Sequence, residues 1–224
     1  MDFTGFGAAI FDLDGTLIES NSVWSRIDEE FLGRRGLKVP DDYFKAVSSM
    51  NFQAAAVYTK KRFSLDDNVD DICHEWRDMA VYQYSNVIGL VPGADLFIRY
   101  LKNNGVRIAL ATASSADLYE PALRHNGLYG YFDFFASTEQ VKRGKGFPDV
   151  YLFACEGLEE SPERCIVFED IIEGIRGAKA GGFTAAACLN SHYSHDWDKL
   201  KNEADISFSN YCELMETVRE KAEI

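Results

Sequence analysis

The chain has 224 residues, enough to bury a full core as one large domain or two small ones, and its 46% apolar content is ordinary for a globular protein. Its formal net charge of −13 repels polyanions, which disfavours nonspecific binding to nucleic acid or anionic membrane, and no apolar run approaches the roughly 20 residues of a membrane span. The five cysteines (Cys73, Cys155, Cys165, Cys188, Cys212) are scattered, odd in number and without a CxxC pair, which points to reduced thiols in the cytoplasm and away from a disulfide framework or a zinc site.

In chain order, Met1 to Ala9 shows neither a basic stretch nor a cleavable apolar segment, so no secretory signal is expected. Gly7 to Phe11 is a short apolar run that predicts a buried strand ending at Asp-Leu-Asp-Gly-Thr. From about Glu19 to Ile88 the periodicity is helical only. Trp24, Ile27, Phe31 and Leu32 fit one helix, and Ile72, Trp76 and Met79 another. The run from Asp66 to Asp71 lacks the Gly and closing Glu of a calcium loop and predicts an exposed turn capping the next helix. Gly89 to Gly93 marks a return hinge.

Beyond the hinge the alternation resumes. Pro92 and Gly93 open a helix with Leu96, Phe97, Tyr100 and Leu101 on one face, closed by Asn103, Asn104 and Gly105. Val106 to Ala111, Phe132 to Ala136, Cys165 to Phe168 and Thr184 to Cys188 read as strands. Pro148 starts a helix with Val150, Phe153 and Ala154 inward, and Ile171 to Ala180 forms another. Strands alternating with helices predict an α/β fold, a Rossmann-like parallel sheet with helices on both faces. Residues 1–18 and 89–224 would form this core, with residues 19–88 inserted as an all-α domain. In such sheets the chemistry gathers outside the carboxyl ends of the strands.

Asp12, Asp14, Gly15 and Thr16 stand at such an end. Carboxylates at i and i+2 emerge on one side where extended backbone runs into a turn, and Gly15 allows the turn to be sharp. The pair could bind a hard cation and divide nucleophilic and proton-transfer duties. An Asp-rich turn junction is the alternative reading, since Asp and Gly favour turns anyway. A phosphate ligand would also require local positive charge in so acidic a chain.

DLDGTL in this setting resembles the first motif of the haloacid dehalogenase superfamily, and three further motifs follow in order. Thr112 ends the strand Val106 to Ala111, Lys145 precedes Gly-Phe-Pro-Asp, and Glu169-Asp170 ends the strand Cys165 to Phe168. The following IIEGIRGAKAGG resembles the family's small-residue helix. The resemblance spans nearly the whole chain and implies a magnesium-dependent phosphoryl-transfer enzyme. By it, Asp12 attacks phosphorus and Asp14 serves as acid and then base. Asp12, the Asp14 carbonyl and Asp170 hold magnesium, with Glu169 contributing directly or through water. Thr112 and Lys145, with backbone N–H groups near Ala113 and Ser114, hold the phosphoryl oxygens. Dehalogenases and phosphonate-cleaving members lack an Asp at position 14, so phosphate-ester chemistry is implied. Gly146 stands where the family commonly has proline, which predicts a less rigid loop around Lys145.

The inserted segment resembles the small helical cap of the subgroup that contains phosphoglycolate-phosphatase-like and β-phosphoglucomutase-like enzymes. The mutases typically carry a histidine shortly after the first motif and an arginine in a cap loop. Here Trp24 takes the histidine's place, Ala46 to Gln53 contains no arginine, and Lys45 lacks an arginine's bidentate fork. Hydrolysis is therefore expected, with a β-phosphoglucomutase-like mutase as the alternative and a non-catalytic phosphometabolite-binding regulator behind both. Trp24, Lys45 and Asn51 are candidates for cap specificity, while Met50 and Phe52 fit either the pocket or the cap core. His192 and His195 form an HxxH pair that fits a solvated loop better than a metal site. The expected partner is a small phosphorylated metabolite, with monomer and small homo-oligomer both open.

Overall fold

The strand ends that carry the motifs are held in one six-stranded sheet. The computed structural model describes residues 3–47, 50–189 and 197–222. His192 and His195 lie outside the described residues, as do two positions of the Ala46 to Gln53 stretch. The strands are β1 (Ala8–Phe11), β2 (Arg107–Thr112), β3 (Phe134–Ser137), β4 (Cys165–Glu169), β5 (Thr184–Cys188) and β6 (Ile206–Phe208). Their order is β3-β2-β1-β4-β5-β6, and every neighbouring pair is parallel. This is the Rossmann-like arrangement with helices on both faces.

Strand β1 shows why its sequence is apolar throughout. Ala8 and Ile10 pack on one face against Val150, Tyr151 and Ala154 of α7 (Asp149–Gly157). Phe11 stacks at 4.5 Å on Phe168 and approaches Phe97 of α5 (Ala94–Asn103) and Tyr211 of α10 (Tyr211–Ala222). A strand buried on both faces cannot alternate in polarity. Between these helices lie α6 (Ala116–His125), α8 (Ile172–Ala180) and α9 (Trp197–Glu203). Gly93 sits at φ 82°, and a Cβ there would lie 2.6 Å from the backbone nitrogen of Cys212, so glycine is needed where α5 begins against α10.

Two sequence expectations shift. The buried face of α5 is Ala94, Phe97, Ile98 and Leu101, while Leu96 is exposed, because the helix starts at Ala94 and its stripe falls one position later. Strand β3 begins at Phe134, and Phe132 and Asp133 link it to a 3-10 turn at Tyr129–Tyr131. The last strand and helices, β6, α9 and α10, were not predicted; β6 is three residues long, too short for a periodic signal.

The chain divides into two compact units, Met1–Asn21 with Ile88–Ile224, and Ser22–Val87. The second unit is helical: α1 (Val23–Gly33), α2 (Tyr43–Val47), α3 (Phe52–Phe63) and α4 (Val69–Asn86). Its interior joins Val23, Ile27, Phe31 and Leu32 of α1 to Ile72, Trp76 and Met79 of α4, with Phe31 edge-on to Trp76 at 5.4 Å. Val23, not Trp24, completes the inward stripe of α1; Trp24 is 39% exposed and meets the equally exposed Phe52 at 5.7 Å. In the acidic run, Asp67 accepts from Arg35, which also reaches Glu75 and so ties the end of α1 to α4. No helix among the described residues is long and apolar enough to cross a membrane.

Candidate active site

Strand order reverses between β1 and β4, and a parallel sheet opens a crevice at the carboxyl ends of such a pair. The register sets Phe11 beside Phe168, and the Asp12 N–H donates to the Phe168 carbonyl at 2.9 Å. Asp12 therefore lies level with Glu169 and Asp170. One carboxylate oxygen from each of the three lies within 4.8 Å of the others, and all three residues are buried.

Lys145 joins them from the loop before α7. Its Nζ donates to Asp12 Oδ1 and, at 2.6 Å, to Glu169 Oε1. Thr16 Oγ1 donates to Asp12 Oδ2 at 3.0 Å, and the Tyr151 hydroxyl donates to Glu169 Oε1 at 2.8 Å. Burial raises the Asp12 carboxyl to about 7, with Lys145 opposing and the charges of Glu169 and Asp14 adding to the rise. For Lys145, burial acts to lower the ammonium, but the Asp12 and Glu169 carboxylates outweigh it and hold it above its ordinary value. The lysine is thus a fixed positive charge.

Two glycines of α8 make this packing possible. A Cβ on Gly177 would lie 2.0 Å from the Lys145 carbonyl oxygen, and one on Gly174 would lie 2.5 Å from Glu169 Oε2. The Gly-x-x-Gly spacing presents both openings on one helix face. The loop expected to be loosened by Gly146 is thereby seated with Lys145 only 9% exposed.

Asp14 stands two residues beyond Asp12, across the turn in which Gly15, at φ 77°, donates its N–H to Ile18 O at 2.9 Å. Asp14 Oδ2 accepts from Ser114 Oγ at 2.6 Å. Ser114 N–H donates to Thr112 Oγ1 at 2.9 Å, and Thr112 itself is fully buried. The Ser114 amide, expected to face phosphoryl oxygens, is thus engaged with Thr112, whereas Ala113 is exposed.

Of the sequence candidates, Asp12, Lys145, Glu169 and Asp170 meet in one cluster, and Asp14, Thr112 and Ser114 form a linked set. Trp24, Lys45 and Asn51 belong to the helical unit. Lys45 is exposed in α2, and Asn51 caps α3 by accepting from the Ala54 N–H at 2.8 Å. Sequence reasoning missed Thr16 and Tyr151. Thr16 stood inside the motif, but Tyr151 carried no signal beyond its place on an apolar helix face.

Three carboxylates against one ammonium leave the cluster short of positive charge. Glu169 Oε2 is buried and meets no donor among the described residues. An uncompensated buried carboxylate oxygen is costly, and oxygen donors of this kind suit a hard divalent cation.

A family model described as haloacid dehalogenase-like hydrolase matches residues 6–182. The chain belongs to this family. It is 29% identical over 213 residues to the validoxylamine A 7'-phosphate phosphatase of Streptomyces hygroscopicus subsp. limoneus, covering 93% of this chain and 96% of the relative. It is 32% identical over 175 residues, 77% of its length, to the bifunctional riboflavin kinase/FMN phosphatase of Arabidopsis thaliana, and spans 46% of that longer protein. Other relatives are named as phosphatases of phosphorylated carbohydrates, fructose 1-phosphate and hexitols. In fold, the chain resembles a candidate beta-phosphoglucomutase from Thermotoga maritima with a TM-score of 0.85 at 23% identity, over 95% of this chain and 98% of the other.

Proposed function

We propose that this haloacid dehalogenase-like protein is a magnesium-dependent phosphatase of small phosphomonoesters, sugar phosphates or similar metabolites, working through an aspartyl-phosphate on Asp12. The observation that carries the reading is the cluster at the β1 and β4 ends, in which Lys145 bridges Asp12 and Glu169 beside Asp170. The phosphatase names of its relatives support the same reading.

An Asp12 oxygen attacks phosphorus, and the ester P–O bond breaks as Asp14 gives its proton to the departing oxygen. Water then attacks the aspartyl-phosphate, Asp14 takes the water's proton, and Asp12 is released with inorganic phosphate. Lys145 holds Asp12 and offsets the charge of the incoming phosphate. Thr112 and the amide of Ala113 are assigned to the phosphoryl oxygens, and Ser114 acts on Asp14. Magnesium, which Asp12, Asp170, Glu169 and the Asp14 carbonyl would hold, supplies charge neutralisation and polarises the phosphoryl group.

We assign substrate choice to the helical unit, a cap inserted between β1 and β2, with Trp24, Lys45 and Asn51 as its first candidates. The absence of an arginine from Ala46 to Gln53 favours hydrolysis over a mutase that grips a second phosphate. The free state of all five cysteines agrees with action in the cytoplasm.

The test is release of inorganic phosphate from a panel of phosphorylated metabolites with magnesium and no bisphosphate. Steady release from at least one small phosphomonoester is expected. Interconversion of β-glucose 1-phosphate and glucose 6-phosphate that outruns release and needs bisphosphate priming would replace this reading with a mutase. Binding without turnover would make the protein a regulator.

A further inference from the structure

Tyr151 lies outside the family motifs, yet it touches the site. Its side chain is fully buried on α7, with the ring 6.3 Å from that of Phe183 and the hydroxyl 2.8 Å from Glu169 Oε1. A phenol hydroxyl facing a carboxylate oxygen at this distance donates to it.

Glu169 Oε1 thus takes two donors, Lys145 Nζ and Tyr151 OH, from opposite ends of the segment that opens α7. Its other oxygen, Oε2, takes none among the described residues. That oxygen lies over Gly174, in the space a side chain would fill. Two donors on one oxygen fix the carboxylate's rotation about its last bond, and the missing Cβ gives the other oxygen its place. Lys145 alone would not fix it, because its ammonium is shared with Asp12 and sits on a stem with four rotatable bonds. The phenol, on a ring packed in the core, is the rigid donor.

We propose that Tyr151 is a positioning residue for a divalent cation: its hydroxyl locks the Glu169 carboxylate, which offers one oxygen within 4.8 Å of an oxygen from each of Asp12 and Asp170. The inference rests on the metal-dependent reading above and adds to it the residue that orients Glu169. Partners that orient a ligand in this way are typically worth about 10- to 100-fold in metal affinity.

The experiment titrates Mn2+ by electron paramagnetic resonance into the wild-type protein, Tyr151→Phe and Gly174→Ala. The magnesium concentration giving half-maximal phosphatase activity is measured in parallel, and thermal unfolding is followed in chelator. Tyr151→Phe keeps the ring and removes one oxygen. It is expected to weaken Mn2+ binding about 10- to 100-fold, to raise the activating magnesium concentration by a similar factor, and to recover most of kcat at saturating magnesium. Gly174→Ala, which crowds Oε2, is expected to weaken Mn2+ binding independently. A folded Tyr151→Phe protein with wild-type Mn2+ affinity overturns the proposal, because a hydroxyl that only packs the core would alter stability and not affinity. Failure of Tyr151→Phe to fold in chelator overturns it too, as the hydroxyl would then be structural. Absence of Mn2+ binding by the wild type, with full activity after chelation, instead removes the metal reading on which the proposal stands.

Discussion

Ser114 Oγ donates to Asp14 Oδ2 at 2.6 Å, linking the loop after β2 to the loop after β1. The same serine's N–H is held by Thr112 Oγ1, so its hydroxyl is aimed by a buried anchor. This contact fixes where the proposed acid stands before a substrate arrives. Ser114→Ala is expected to lower kcat/KM for alkyl phosphates roughly 10- to 150-fold, the equivalent of one hydrogen bond to a carboxylate, with little change in unfolding free energy. Substrates with very acidic leaving groups should be affected less, since they need less protonation. Equal losses across the leaving-group series would show that Ser114 acts on something other than the acid.

Asp12→Asn keeps the shape of the side chain and its acceptor for Thr16 while removing the nucleophile. Turnover should fall more than about 10³-fold, as for other covalent catalysts that lose their nucleophile. Substrate binding, measured by calorimetry, should persist. Near-wild-type turnover by this variant would exclude the covalent route through Asp12.

Gly177→Ala tests the seat of Lys145. Its new Cβ would lie 2.0 Å from the Lys145 carbonyl oxygen, a backbone atom that cannot rotate away, so the loop must move. A loss of about 1–3 kcal/mol in stability is expected, the usual range for overpacking, together with a fall in kcat as the ammonium leaves Asp12. Gly146→Ala is the matched control, because a Cβ there comes no nearer than 4.0 Å to the Glu173 Cβ. If both variants behave alike in urea unfolding and in turnover, close packing of α8 does not hold the loop.

These two glycine positions also show what the sequence could convey. The strands β1, β2, β4 and β5 were legible because each is a short apolar run, and at β1, β2 and β4 the run is closed by a polar residue of the candidate site. Asp12, Asp14, Lys145, Glu169 and Asp170 could be named because motif order along the chain constrains them jointly. Tyr151 could not, because an inward tyrosine on an apolar helix face reads as packing, and its partner lies 18 residues away. The Ser114 contact spans 100 residues and depends on which way a hydroxyl turns, which no local pattern encodes. Trp24 was misplaced by one position on α1, since Val23 and Trp24 are both apolar and only the packed core separates them.

Asp28 supplies a prediction away from the reaction. It lies on α1, 9% exposed, and burial raises its carboxyl to about 7, with a hydrogen bond from Tyr43 opposing the rise. Tyr43 OH in turn lies 2.6 Å from Thr59 Oγ1, and Thr59 donates to the Ala55 carbonyl at 2.8 Å. Burial outweighs the Tyr43 hydrogen bond and favours the neutral acid. The folded pKa is thus above the unfolded value of about 3.9. Below about pH 4 both states are protonated and the group contributes no difference. Between about 4 and 7 only the folded state keeps the proton, so stability falls as pH rises, and above about 7 the penalty is constant. Asp28→Asn has no such titration. Relative to wild type it should gain about 1–3 kcal/mol in unfolding free energy between pH 4 and pH 7.5. Urea unfolding of both proteins at several pH values, followed by circular dichroism, measures that difference. A difference that stays flat across the range would mean that Asp28 is ionised in the folded protein throughout.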